Sequence, residues 1–266
     1  MSLPAPEYKT IQPAQTHQAT IIFLHVSSLL ESSPAGKVLI SSVSRVWEAI
    51  EAGFLSKKGI FEKHITTTLA PARPSIKWIL PLGPIRPITI RQGLLESGWF
   101  DVPELATPDK PVVEDGEGQL ASLQSIDLII QDEVDRGTPE SKIVLGGFSQ
   151  GAMISLLGSV VLERRLAGIV ALSGRLPLSE RVDELKSVHA SETPIFVAHG
   201  KEDAVVSYEF AERAVDILSK FGRPVLPQGS VFARPSIRFT SYPGLGHTYS
   251  EEELLDLIEW LRECLQ

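Results

Sequence analysis

Apolar positions in this chain fall into two alternating patterns. Short, nearly unbroken runs of apolar and β-branched residues occur at 20–26 (TIIFLHV), 76–80, 142–148 (KIVLGGF), 168–172 (GIVAL), 194–198 (PIFVA) and 237–242 (IRFTSY). Such runs predict short strands, the unbroken ones covered on both faces. Between them lie segments with apolar residues close to helical spacing. Leu120, Leu123, Ile126, Ile130 and Val134 mark one of these, over 118–134, and 152–166, 208–220 and 250–265 carry a similar pattern, so four helices are expected. The last opens with Ser250 and places Glu253 three residues on, a capping-box pattern. Strands alternating with helices predict an α/β fold, a mostly parallel central sheet with helices on both faces. No break in composition divides 1–266, so a single domain is expected. Two stretches fit less well. Residues 26–46 are Ser-rich and then weakly helical, and 220–235 carry several Pro and Gly and read as a long loop.

Composition narrows the function classes. A chain of 266 residues, 43% hydrophobic and 22% charged, can bury a sizeable core. Its formal net charge of −8 argues against nucleic acid as a partner. The one cysteine, Cys264, leaves no internal disulfide framework and suits a reducing compartment. It is third from the end and so lies outside a prenylation box, and Ser2 stands where myristoylation needs Gly. No apolar run reaches the length of a membrane span, and the first residues lack a basic region followed by an apolar stretch. A cytoplasmic protein is expected, with the nucleus as a second compartment.

The most informative motif is Gly147-Phe148-Ser149-Gln150-Gly151, a G-x-S-x-G pattern. Short as it is, its setting makes it specific. A buried strand pattern (IVLGG) runs into it and an apolar, small-residue helix pattern (AMISLLGSVV) leaves it, the strand-turn-helix arrangement of a nucleophile elbow. The turn needs small neighbours, which Gly147 and Gly151 supply. The serine then sits above a helix N-terminus, where free N–H groups favour negative charge. The N–H of Gln150 can donate to the oxyanion of acyl transfer.

A serine hydroxyl needs a base, usually His, and a carboxylate to set the tautomer of that His. In this arrangement the chain order is Ser, acid, His. Three histidines follow Ser149: His189, His199 and His247. His247 lies in PGLGHT, a loop after one predicted strand and before the last helix. His189 lies in a polar loop with no strand before it, and His199 reads as a packed residue at a strand end. The acid belongs on the loop after strand 194–198. Asp203 and Glu202 both qualify by type. Asp203 precedes a small apolar run that would anchor it inward, whereas Glu202 adjoins Lys201, so Asp203 is preferred.

With these residues in place the chain resembles the acyl-protein thioesterases of the phospholipase/carboxylesterase family, within the α/β-hydrolase superfamily. The matching pieces are IIFLH at 21–25, ILPLGPIRPIT at 79–89, WFDV at 99–102, IVLGGFSQGA at 143–152, LAGIVALSG at 166–174, HGKEDAVV at 199–206 and YPGLGH at 242–247. They run in family order along nearly the whole chain. The resemblance implies a cytosolic hydrolase needing no metal or cofactor, which cleaves palmitoyl thioesters on proteins, and lysophospholipids or short esters as well. It implies Ser149, Asp203 and His247 as the triad, Gln150 as one oxyanion donor and, by position, Ser27 as the second. Membrane contact is expected to be transient at most.

The chain departs from the family after its first core strand. The family has His-Gly-x-Gly-Asp, and here the run is His25-Val26-Ser27-Ser28-Leu29. Loss of one oxyanion donor costs roughly 10²–10³ in turnover, so lowered activity or a shifted acyl preference is expected. Two alternatives stay open: a general carboxylesterase or lysophospholipase, and an acyl-binding protein of weak activity. Other motifs carry less. Gly116-Glu117-Gly118-Gln119-Leu120-Ala121 fits a dinucleotide fingerprint but no strand pattern precedes it, so a loop entering a helix is the better reading. No His or Cys pair has zinc-like spacing. Glu251, Glu252 and Glu253 suit a first helical turn, and Lys57 and Lys58 a solvated face.

Overall fold

The computed structural model describes residues 4–25, 60–227 and 230–266. Its ten strands are β1 (Tyr8–Ile11), β2 (Ala19–Leu24), β3 (Ile76–Pro81), β4 (Ile85–Ile88), β5 (Leu94–Ser97), β6 (Ile143–Phe148), β7 (Gly168–Leu172), β8 (Ile195–Gly200), β9 (Val225–Leu226) and β10 (Ile237–Tyr242). Eight of them form one sheet in the order β1-β3-β2-β6-β7-β8-β10-β9, and β4 and β5 pair apart from it as an antiparallel hairpin. Within the large sheet β1 is antiparallel to β3 and every other pairing is parallel. The four long helices are α1 (Gly116–Asp135), α2 (Gln150–Val161), α3 (Tyr208–Ser219) and α4 (Glu251–Cys264).

Alternation along the strands divides the core between the two faces. Leu145, Ile169, Ala171 and Val197 lie in one cluster with Ile126 and Ile130 of α1, Leu156 of α2 and Leu218 of α3. Val144, Val170, Phe196 and Ala198 lie in the other with Leu257, Trp260 and Leu261 of α4 and with Ile65 and Leu69. This is an α/β fold with a mostly parallel sheet covered on both faces, as the strand-helix alternation leads one to expect, and it agrees with the α/β-hydrolase fold that the family resemblance implies. The helix ends follow their caps. Asp115 accepts from Gly118 N at 2.8 Å and opens α1, so the G-x-G-x-x-A pattern is a helix entry. At α4, Glu253 N donates to Ser250 Oγ at 3.1 Å and the Glu253 side chain answers to Ser250 N at 3.4 Å, completing the box.

Four regions differ from expectation. The helix expected over 152–166 stops at Val161, with Leu162 extended. Arg164 is drawn to the carboxylates of Asp127 and Glu140, and Leu166 joins the core as the chain enters β7. The expected loop at 220–235 contributes β9, which lengthens the sheet beside β10. Residues 60–72 are helical, through Ile60–His64, a π turn at Ile65–Leu69 and Ala70–Ala72. Strands β1, β4 and β5 were not expected either. The stretch 26–46, Lys57 and Lys58 lie outside the described residues.

At the N-terminal end of the parallel strands a carboxylate is buried among polar partners. Glu133 of α1 accepts from Thr20 Oγ1 of β2 at 2.8 Å and from Lys77 Nζ of β3 at 2.6 Å. The Glu133 side chain is 1% exposed and that of Lys77 16%.

Candidate active site

The parallel strands β6, β8 and β10 carry the three predicted residues beyond their C-terminal ends, where ligands bind in open α/β sheets. Ser149 occupies the turn from β6 into α2 with φ 55° and ψ −118°. For a residue bearing a side chain this conformation costs about 1–3 kcal/mol and persists only where its surroundings over-determine it. They do so here. Ser149 N donates to Leu172 O of β7 at 2.9 Å. The turn also brings backbones too close for side chains. A Cβ at Gly151 would lie 2.1 Å from Leu24 O, and one at Gly147 would lie 2.4 Å from the carbonyl carbon of Gly151. The two glycines of the motif are thus dictated by contact with β2 and α2.

Gln150 is the first residue of α2, and first-turn N–H groups have no acceptor within the helix. Its side chain is anchored: Oε1 accepts from Trp99 N at 2.8 Å and Nε2 donates to Phe100 O at 3.2 Å. The segment bearing Trp99 and Phe100, both buried, is tied in turn to α1. Ser122 Oγ donates to Trp99 O, and Asp101 N to Asp115 Oδ2 at 2.9 Å. The WFDV segment therefore forms the support of the elbow.

His247 Nε2 lies 2.9 Å from Ser149 Oγ and its Nδ1 lies 2.8 Å from Asp203 Oδ2. A carboxylate only accepts, so Nδ1 carries the hydrogen and Nε2 is the bare nitrogen able to take the serine proton. The Asp203 side chain is fully buried and that of His247 is 7% exposed. Val205 N and Val206 N both donate to Asp203 Oδ1, each at 2.9 Å. Burial opposes ionisation of Asp203, but the hydrogen-bonding of His199 and His247, the electrostatic effect of His247 and the Val206 N–H outweigh it. The carboxyl is held well below the usual carboxylate range. The ring of Phe148, from the motif itself, rests against His247 with centroids 5.0 Å apart, and Tyr249 meets Phe148 edge-on.

The loops that carry Asp203 and His247 are docked on one another. Lys201 N donates to Tyr242 O at 3.0 Å, Glu202 N to Leu245 O at 3.1 Å, and Gly244 N to the Glu202 carboxylate at 2.6 Å. A Cβ at Gly200 would fall 2.1 Å from Leu245 O, so only glycine allows this approach. Glu202, the other acid that qualified by type, fastens the loop that carries the base.

The remaining candidates separate cleanly. His189 is bound to Glu192 and Arg165. Burial pushes the His25 imidazole down to about 4, with Glu62 opposing, so it offers no positive charge near neutral pH. Ser27 lies outside the described residues. His199, read from the sequence as packing, is fully buried but stands 3.2 Å from Asp203 Oδ2, a neighbour the linear reading did not supply. Its only signal was the four-residue spacing to Asp203 across a strand end. Among the described residues no group of three or more His, Cys, Asp or Glu side chains is placed to hold a metal ion.

A hydroxyl hydrogen-bonded to a bare imidazole nitrogen, with the opposite N–H on a buried carboxylate, is the arrangement of the serine hydrolases of this fold. The phospholipase/carboxylesterase family model matches residues 62–265, and the chain belongs to that family. It is similar to acyl-protein thioesterase 1 of Cryptococcus neoformans var. neoformans serotype D, with 41% identity over 261 residues and 96% of each chain covered. Acyl-protein thioesterase 1 of Yarrowia lipolytica is 28% identical over 263 residues, covering 98% of this chain and 99% of its own. Among solved structures, acyl-protein thioesterase 2 of Zea mays superposes with a TM-score of 0.69 at 27% identity, covering 98% of this chain and all of that one. The protein is thus an acyl ester or thioester hydrolase.

Proposed function

We propose that this hydrolase removes long acyl chains, palmitoyl foremost, from cysteines of acylated proteins, through an acyl-enzyme on Ser149. The observation that carries the proposal is the hydrogen-bonded chain from Ser149 through His247 to Asp203. The relatives named acyl-protein thioesterase support the choice of substrate. Ser149 Oγ attacks the thioester carbonyl carbon while its proton passes to His247 Nε2. Negative charge gathers on the carbonyl oxygen, facing the N–H of Gln150, with Ser27 as the second donor by position. As the carbon–sulfur bond breaks, the imidazolium returns its proton to the leaving sulfur. Water then attacks the acyl-enzyme, gives a proton to His247, and the fatty acid leaves as the proton returns to Ser149. Asp203 stays ionised throughout and stabilises the imidazolium.

Acylated proteins and small acyl esters or lysophospholipids are the proposed partners, reached without lasting attachment to a membrane and without nucleic acid. The chemistry uses no cofactor. No helix among the described residues is long and apolar enough to cross a membrane. The cytoplasm, with the nucleus as a second compartment, is the proposed setting, supported by the single, buried and unpaired Cys264. The test compares hydrolysis of an S-palmitoylated peptide with short-chain oxygen esters and a lysophospholipid, together with fluorophosphonate labelling. Labelling lost in Ser149→Ala and fastest turnover on the palmitoyl peptide are expected. Faster turnover of the small esters or the lysophospholipid would make the enzyme a general carboxylesterase or lysophospholipase. An unlabelled wild type would make the chain an acyl-binding protein.

A further inference from the structure

His199, the penultimate residue of β8, is 0% exposed. Its Nε2 lies 2.8 Å from Val206 O, and a carbonyl cannot donate, so that nitrogen carries the ring hydrogen. The N–H is directed at Val206 O, and the same nitrogen stands 3.2 Å from Asp203 Oδ2. That oxygen is the one bound to His247 Nδ1. The other oxygen, Oδ1, is taken by the two backbone N–H groups of Val205 and Val206. The carboxylate is therefore clasped from one side by the turn that follows it and from the other by two imidazoles. The Val206 carbonyl to which His199 donates belongs to that same turn.

The other ring nitrogen is informative. His199 Nδ1 is buried without a hydrogen-bond partner among the described residues. A buried polar atom left unpaired costs about 1–3 kcal/mol; an apolar ring here would remove that cost at Nδ1 but leave Val206 O without its donor. Retention of a histidine is then accounted for by what Nε2 does and not by packing. Asp203 is out of reach of water, so no solvent molecule can take over as donor if the imidazole is removed.

We propose that His199 is a positioning residue for the triad: its Nε2–H clamps the turn at 203–206 and holds Asp203 Oδ2 facing His247. The inference rests on the assignment of Ser149, Asp203 and His247 as the catalytic groups. Besides His247, the charged or titratable side chains around the pair are Tyr208, whose ring meets His199 edge-on at 6.1 Å, Lys201, which lies over Tyr208, and Glu202 on the docked loop.

The experiment compares wild type, His199→Phe, His199→Gln and Ser149→Ala on one thioester, measuring kcat, KM, the pH–rate profile and the melting temperature. Gln carries an N–H to about the place of Nε2, and Phe carries none. His199→Phe is expected to lose roughly 10–100-fold in kcat, the scale on which loss of an orienting partner acts, with KM little changed and a fall in melting temperature no larger than one lost buried hydrogen bond gives. Its acid limb should move to higher pH by roughly half a unit to one unit, the equivalent of one ordinary hydrogen bond. With one donor fewer, more of the Asp203 charge bears on the imidazolium. His199→Gln should recover most of the rate and return the acid limb. Wild-type kcat with an unmoved acid limb in His199→Phe overturns the proposal, as does a loss that Gln leaves unrescued while melting temperature falls in step. If neither variant folds, the ¹⁵N spectrum of wild-type histidines decides: hydrogen on Nε2 of His199 upholds it and hydrogen on Nδ1 overturns it. Activity surviving in Ser149→Ala would instead refute the catalytic assignment beneath it.

Discussion

Two carboxylates are buried at opposite ends of the parallel strands, and their partners differ in kind. Glu133, at the N-terminal end, is held by the Lys77 ammonium and the Thr20 hydroxyl. Asp203, at the C-terminal end, is held by backbone N–H groups and imidazoles. Both arrangements satisfy a buried charge, without which burial would be prohibitive. Only the second leaves a group that can change charge during a reaction. The Glu133 cluster ties α1 to β2 and β3. An imidazole between carboxylate and hydroxyl turns the same solvation problem into a proton acceptor. The contrast separates a carboxylate paired with a lysine from one hydrogen-bonded to imidazoles, the arrangement on which the proposed chemistry rests.

The sharpest way to break this contrast is at the hydroxyl that receives its benefit. Ser149→Ala should lower turnover by about 10⁶ and abolish fluorophosphonate labelling, with the melting curve little changed. Asp203→Asn should cost roughly 10⁴ in kcat, because an amide can stabilise the wrong imidazole tautomer, and steady-state kinetics would register it. Glu133→Ala should do the reverse. Leaving Lys77 and Thr20 without their partner should cost about 3–5 kcal/mol in urea unfolding, while kcat per folded molecule stays at the wild-type value. A loss of kcat comparable to that of Asp203→Asn would erase the distinction.

A third buried carboxylate gives an effect spread over several pH units and smallest at any one step. Glu253 of α4 is fully buried, and burial pushes its carboxyl from 4.5 up to about 8, against the hydrogen bond from Ser250. Between those values the folded protein holds a proton that the unfolded chain has released. Stability should therefore fall as pH rises through that window, by at most about 1.4 kcal/mol per pH unit from this group. Denaturation across the window should show a shallower decline for Glu253→Gln, which keeps a capping acceptor for Ser250 N. Equal slopes in the two proteins would show that Glu253 does not carry the pH dependence.

Much of this was readable in the sequence, for reasons that also explain what was not. The strands β2, β6, β7 and β8 lie at the centre of the sheet, and burial on both faces imposed a dense apolar run on each. The elbow was readable because Gly147 and Gly151 are demanded by backbone contact, and the juxtaposition of Ser149, Asp203 and His247 because strand order restricts where such residues can stand. Missed elements are those that burial does not shape. Strand β1 is a half-exposed edge, β4 contains Pro87, and β9 is two residues long. The helical turns at 60–72 contain Thr66, Thr67, Thr68 and Pro71, poor helix formers held in place by Ile65 and Leu69 packing under the sheet. His199 was read as packing because nothing in a linear pattern shows which oxygen its nitrogen faces.

The close approach of Gly200 to Leu245 has a consequence for how such a protein can change. Asp203 and His247 stand on loops latched to each other by the main-chain bonds from Lys201 N to Tyr242 O and from Glu202 N to Leu245 O. Any side chain at Gly200 would force that latch apart, while the Trp99–Phe100 segment holds Gln150, the neighbour of Ser149. Side chains elsewhere on these two loops can then vary while main-chain bonds keep the spacing between Asp203 and His247.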